Sequence, residues 1–171
     1  MQLDVMDGEF VPTCSLTFDF KLPRGNYEAH LMVVDALSWC EKNWEKVDTV
    51  LIPVESITAK EALDFLKSKG KRLGLVLNPE TPLDEIKPYL NEVNQILILT
   101  VHPGKYGADF LPETLTKVEE LRKLRPKLDI EVDGGITPNT IALAKEAGAN
   151  LFVSGSFIQN AENSKEAINN L

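Results

Sequence analysis

Two periods of apolar spacing take turns along this chain. Short β-type runs come at Leu3–Met6, Tyr27–Val34, Thr49–Val54, Leu73–Leu77, Gln95–Val101, Asp129–Val132 and Leu151–Ser154. Between and after them lie amphipathic runs of helical period at Ala36–Lys46, Thr58–Lys69, Pro82–Val93, Leu111–Leu124, Thr140–Ala147 and Ser164–Leu171. Gly70 closes the second of these as a helix stop, and Pro82 stands in the first turn of the third. Gln95–Val101 is apolar at nearly every position, as a strand covered on both faces is. Strands that alternate with crossover helices predict a parallel sheet, barrel or doubly wound, in a single domain over residues 1–171.

One stretch breaks this rhythm. Cys14, Leu16, Phe18 and Phe20 alternate with Ser15, Thr17 and Asp19, which is the period of a half-buried strand. Turn chemistry follows at Leu22–Asn26, and no crossover helix fits. Residues 14–20 are therefore expected to form an extra strand or an extended flap.

Composition narrows the class. The 171 residues are 43% apolar, enough for a core and too many for disorder. A net charge of −8 argues against nucleic acid or an anionic membrane as partner. It leaves a phosphate ligand open, because backbone N–H groups hold phosphate whatever the global charge. Cys14 and Cys40 have neither C-x-x-C nor zinc spacing, and both read as small buried hydrophobes in a reducing compartment. No basic-then-apolar leader opens the sequence, and no apolar run approaches the roughly 20 residues of a membrane span, so a soluble cytoplasmic protein is expected.

The chemistry concentrates at strand ends. These read Asp4-Val5-Met6-Asp7-Gly8-Glu9-Phe10-Val11-Pro12, Ala29-His30-Leu31-Met32-Val33, Thr100-Val101-His102-Pro103-Gly104 and Glu131-Val132-Asp133-Gly134-Gly135-Ile136. With Gly74–Pro82 and Gly155-Ser156, they match ribulose-phosphate 3-epimerases in order and spacing, and the chain resembles that family from Leu3 to about Ile158. The resemblance begins at the family's second strand. It implies a TIM-type (β/α) barrel lacking the first strand–helix unit, whose parallel strands would be the seven runs above, with the extra strand or flap read from the alternation at 14–20 beside them. Seven strands close differently from eight. Contraction of the barrel, plugging by the 14–20 segment, or a second chain covering the gap as a homodimer would each protect the exposed edges. The alternation of residues 14–20 favours that segment.

The resemblance also implies an isomerase acting on a phosphorylated ketose, ribulose 5-phosphate or xylulose 5-phosphate. Epimerising a carbon beside a ketone takes a proton from one face and returns one to the other, which needs two acid/base groups. The matching pair here is Asp4 and Asp133, each placed at a strand end. The negative charge left on the substrate needs a metal or fixed dipoles. The family's divalent metal (Zn, Fe or Mn) has counterparts of its ligands in Asp4, His30 and Asp133, while Gln2 stands where a second histidine is expected, so weaker binding is anticipated. Gly104, Gly107, Gly134, Gly135, Gly155 and Ser156 match the phosphate cradle, with Lys105 and Tyr106 departing from its glycine-rich pattern. Met6, Met32 and His102 match pocket-lining positions. The alternative is a non-catalytic relative that keeps the barrel and a phosphate pocket. Decarboxylase or aldol chemistry on the same barrel is not expected: its Asp-x-Lys-x-x-Asp pattern meets only Asp19-Phe20-Lys21, with Arg24 in place of the last acid.

Overall fold

The computed structural model describes residues 1–15, 20–104 and 107–171. The chain forms two compact units, Met1–Leu77 with Asp84–Asn94, and Asn78–Leu83 with Gln95–Leu171. Among the described residues there are seven strands; the first two follow each other directly, the later ones are separated by helical segments, and every strand pair within each unit is parallel, which is the TIM-type (β/α) class expected.

In the first unit β1 (Gln2–Met6), β2 (Glu28–Met32), β3 (Thr49–Pro53) and β4 (Arg72–Leu77) lie side by side in that order. Leu31, Leu51, Ile52 and Leu75 are fully buried, whereas β1 is partly exposed along its length. Helix α1 (Ala36–Asn43) starts at Asp35, whose Oδ1 accepts from Ser38 N at 3.1 Å. The Thr58 hydroxyl donates to Asp35 Oδ1 at 2.8 Å and accepts from Leu37 N at 3.0 Å, tying the start of α2 (Ala59–Ser68) to that of α1. Gly70, at φ +66°, ends that helical stretch as expected. Trp44 packs edge-on against Phe65 with ring centroids 6.5 Å apart, and the Lys69 and Lys71 ammoniums lie 5.6 and 5.5 Å from its ring centre.

The second unit places β5 (Gln95–Leu99), β6 (Asp129–Asp133) and β7 (Leu151–Val153) in order, with α3 (Leu115–Leu124), α4 (Pro138–Ala147), α5 (Ser156–Gln159) and α6 (Ser164–Asn169). A capping box between Thr137 and Thr140, with Pro138 in the first turn, opens α4, and Gly148 closes it at φ +108°. Arg122 secures this corner, its guanidinium donating to the carbonyls of Gly148, Pro126 and Leu128 and to Asn150 Oδ1. At the start of the sheet the Gln95 amide donates to the Glu131 carboxylate, both side chains buried.

Two expectations are corrected, and one element is new. Pro82–Val93 is not an α-helix but two 3₁₀ turns, Leu83–Glu85 and Lys87–Tyr89. Pro88 has no N–H to give to the Asp84 carbonyl, and its ring crowds that carbonyl, so the periodic pattern cannot wind into α-helix. The short helix α5 goes unannounced by any apolar period. Cys14 is exposed, not buried. Of the extra strand expected at 14–20, residues 16–19 lie outside the described residues. Cys14 makes an isolated antiparallel bridge with Asp7, and Ser15 N donates to Met6 O at 2.9 Å, so this segment begins along the free edge of β1.

The two thiols differ in chemistry. Burial, and then the Asp35 and Glu41 carboxylates, push the Cys40 thiol up to about 12. Native protein should therefore react with a disulfide reagent such as DTNB at one thiol, Cys14, and expose the second only on unfolding. Two fast equivalents from folded protein would contradict the burial of Cys40.

Candidate functional site

Side chains at alternate residues of a strand share a face, so Gln2, Asp4 and Met6 of β1 point one way. Parallel pairing sets Gln2 opposite Glu28, Asp4 opposite His30 and Met6 opposite Met32. One face thus carries an acid beside a base, with the two methionines two residues further on. Asp4 is the third of the five residues of β1, two short of the strand end assigned from the sequence.

The polar contacts around this pair are close. His30 Nδ1 stands 3.4 Å from Asp4 Oδ1, with the imidazole 2% exposed and the carboxylate 51%. Gln2 Nε2 donates to Asp4 Oδ1 at 2.9 Å and lies 3.4 Å from His30 Nδ1. Burial alone would raise the Asp4 carboxyl. The hydrogen bond and charge of His30, then the Gln2 amide, outweigh it and hold the group below its ordinary value, in the ionised form. A carboxylate and an imidazole 3.4 Å apart are donors suited to a divalent cation, and they fit one.

The backbone beneath Asp4 is held from the free edge of the sheet. Ser15 Oγ donates to Asp4 O and accepts from Met6 N, both at 2.9 Å, taking the place of a neighbouring strand. Beyond the strand, Asp7 anchors the loop. Its carboxylate accepts from Glu9 N, Phe10 N and, across to the second strand's exit, Val34 N, at 2.9, 2.8 and 2.7 Å.

In the second unit Asp133 is the last residue of β6 and Gly134-Gly135 follow it. At Gly134, φ is +113° and an added Cβ would stand 2.4 Å from a Val101 methyl, so only glycine fits this turn. Hydroxyls secure it: Thr100 Oγ1 donates to Asp133 O at 2.9 Å and Gly134 O at 2.6 Å, and Thr140 Oγ1 to Gly135 O at 2.7 Å. Gly104 and Gly107 have φ of +87° and +69°, and Lys105 and Tyr106 between them lie outside the described residues. Gly155 precedes α5, and Ser156 with Thr137, Phe157, Asn160 and Ala161 lines an open groove of about 400 Å³. The His102 imidazole is 64% exposed and meets Glu80 Oε1 at 2.8 Å, while Lys117 Nζ donates to the carbonyls of Asn78, Pro79 and Thr81.

The structure thus brings Gln2, Asp4, His30, Met6 and Met32 together on one face, and Asp133, Gly134 and Gly135 at one turn. Ser15, Asp7, Thr100 and Thr140 support the site without being predicted to. Asp7 and Thr100 lie inside the strand-end motifs, whereas Ser15 shows only the alternation of residues 14–20 and Thr140 only the start of a helical run.

Residues 1–159 match the model of the Ribulose-phosphate 3 epimerase family. The chain is 38% identical to "Ribulose-phosphate 3-epimerase, cytoplasmic isoform" of Oryza sativa subsp. japonica, covering 100% of this chain and 80% of that protein. It is 40% identical to the ribulose-phosphate 3-epimerase of Synechocystis sp., covering 98% and 79%. Among solved structures, 3-hexulose-6-phosphate synthase from Salmonella typhimurium superimposes with a TM-score of 0.67 at 17% identity, covering 85% of this chain and 70% of that one. KGPDC from Streptococcus mutans gives 0.66 at 17%, covering 86% and 71%. At such identities the likeness to these two structures is one of fold alone. No helix among the described residues is long and apolar enough to cross a membrane.

Burial alone would raise the Asp7 carboxyl, but the Val34, Phe10 and Glu9 N–H groups outweigh it and hold it below its ordinary 3.8. A depressed folded value means stability that is fully present above 3.8 and is lost as pH falls through the lower folded value. Asp7→Asn should therefore cost about 1–3 kcal/mol in urea unfolding near neutrality, a difference that shrinks as pH falls below 3.8. Equal stability near neutrality would remove Asp7 from its anchoring role.

Proposed function

This chain belongs to the ribulose-phosphate 3-epimerase family, and we propose that it interconverts ribulose 5-phosphate and xylulose 5-phosphate by moving the proton at C3. The observation that carries this reading is the Asp4–His30 pair, a carboxylate kept ionised beside a buried imidazole on two paired parallel strands.

In the direction in which Asp4 acts as base, its carboxylate takes the C3 proton from one face of the sugar. Asp133, fixed at the end of β6 by Thr100, gives a proton to the other face; in the reverse direction the two exchange roles. On the family's pattern, Asp4, His30 and Asp133 are the residues that would hold a divalent cation. When bound, that cation supplies positive charge against the negative charge that proton removal leaves on the substrate oxygens. The methionines beyond the Asp4–His30 pair offer an apolar surface to the sugar carbons and limit access of water.

The phosphate is assigned to the glycine turns of the second unit, Gly104, Gly107, Gly134, Gly135 and Gly155, with the Ser156 hydroxyl. Positive φ at the first four is a backbone conformation found where successive N–H groups cradle an anion. This accommodates an anionic substrate on a chain of net charge −8.

Solvent deuterium exchange at C3 of ribulose 5-phosphate, followed by NMR with added Mn²⁺, Fe²⁺ or Zn²⁺, tests the reading because it reports the proton transfer itself. Metal-dependent exchange is expected, with Asp133→Asn and Asp4→Asn each lowering it by about 100-fold or more. Folded protein that exchanges no faster than buffer with any of these metals would sink the epimerase assignment.

A further inference from the structure

Gln2 is a neutral side chain that touches both first-unit groups assigned to the cation. Its Nε2 is 2.9 Å from Asp4 Oδ1 and 3.4 Å from His30 Nδ1, and it shares their face of the sheet through the β1–β2 register. A primary amide has a donor end and an acceptor end of nearly equal shape. Half a turn about its terminal torsion exchanges them without moving a carbon atom. Facing an ionised carboxylate and a ring nitrogen, the NH₂ end is preferred. Facing a cation held by those same two groups, the carbonyl oxygen is preferred, because amide oxygens are ligands for hard divalent ions.

We propose that Gln2 is a reversible third donor of the first-unit cation site, and that its oxygen biases this chain towards hard, oxygen-seeking divalent ions of the Mn²⁺ class. The inference rests on the cation reading given above and adds which ion the site takes. A carboxylate, an amide oxygen and a single imidazole form an oxygen-rich set, which suits Mn²⁺ or Mg²⁺. Zinc gains most from imidazole and thiolate. The same amide stabilises the ion-free state, since its NH₂ end then holds Asp4 and His30 in place, so the ion can leave without the pair collapsing.

The test measures Zn²⁺ and Mn²⁺ affinities of the full chain by competition with a chromogenic chelator, with Mn²⁺ binding followed independently by EPR. The proteins compared are wild type, Gln2→His and Gln2→Leu, each checked for wild-type circular dichroism. Gln2→His should raise the ratio of Zn²⁺ to Mn²⁺ affinity by about tenfold or more, and Gln2→Leu should weaken Mn²⁺ by about tenfold or more with a smaller effect on Zn²⁺. An unchanged ratio in Gln2→His, or equal weakening of both ions in Gln2→Leu, would overturn the proposal and leave Gln2 as a prop for Asp4. So would a wild type that binds neither ion. The selectivity stands apart from the catalysis: the expected shift in ratio without C3 exchange by wild type would keep this inference and remove the epimerase reading.

Discussion

Parallel pairing of β1 with β2 sets Asp4 against His30, and a slip of one residue would turn Asp4 to the opposite face. The candidate centre depends on this pairing more than on any single side chain. It is also made by an edge strand, the element least able to resist slipping. β1 has β2 on one side and, among the described residues, only Cys14 and Ser15 on the other. Ser15 meets the main chain at Asp4 and Met6, and Asp7 reaches across to Val34, so the strand is held along its edge and beyond its end. The acid–base pair is therefore positioned by hydroxyl and carboxylate contacts to the backbone, in addition to the ladder itself.

Local chemistry outweighs global charge throughout. The chain carries an excess of eight negative charges, yet Asp4 remains ionised because two near neighbours favour the charged form. Charge screening over a Debye length of about 8 Å makes distant carboxylates weak competitors against contacts near 3 Å. The glycine turns of the second unit follow the same logic, since what they present is backbone polarity, which the net charge does not alter.

The strands were legible because burial on both faces leaves continuous apolar runs, as in β3 and β5, and the end of α2 was marked by Gly70. Legibility failed where a backbone rule overrode side-chain period. Pro88 denies a hydrogen bond to a run that is otherwise amphipathic, and α5 is too short to show a period. Cys14 read as a small buried hydrophobe because it has neither disulfide nor zinc spacing, but an edge segment has one face in solvent. In the site, Asp4, His30 and Asp133 stood in motifs, whereas the role of Ser15 follows from which backbone it meets in the fold, a relation no local pattern encodes.

The buried Gln95–Glu131 pair bears on how the second unit assembles. Glu131 lies two residues before Asp133 on the same face of β6, and Gln95 begins the strand beside it. Sliding β6 by two residues so that Glu131 faced Leu99 would keep every apolar side chain on its proper face, and hydrophobic matching alone would scarcely notice. It would, however, part the amide from the carboxyl group in a buried setting, where a polar group severed from its partner is penalised. The pair therefore acts as a registration mark against that slip, and so helps to place Asp133 level with Leu99 at the end of the sheet.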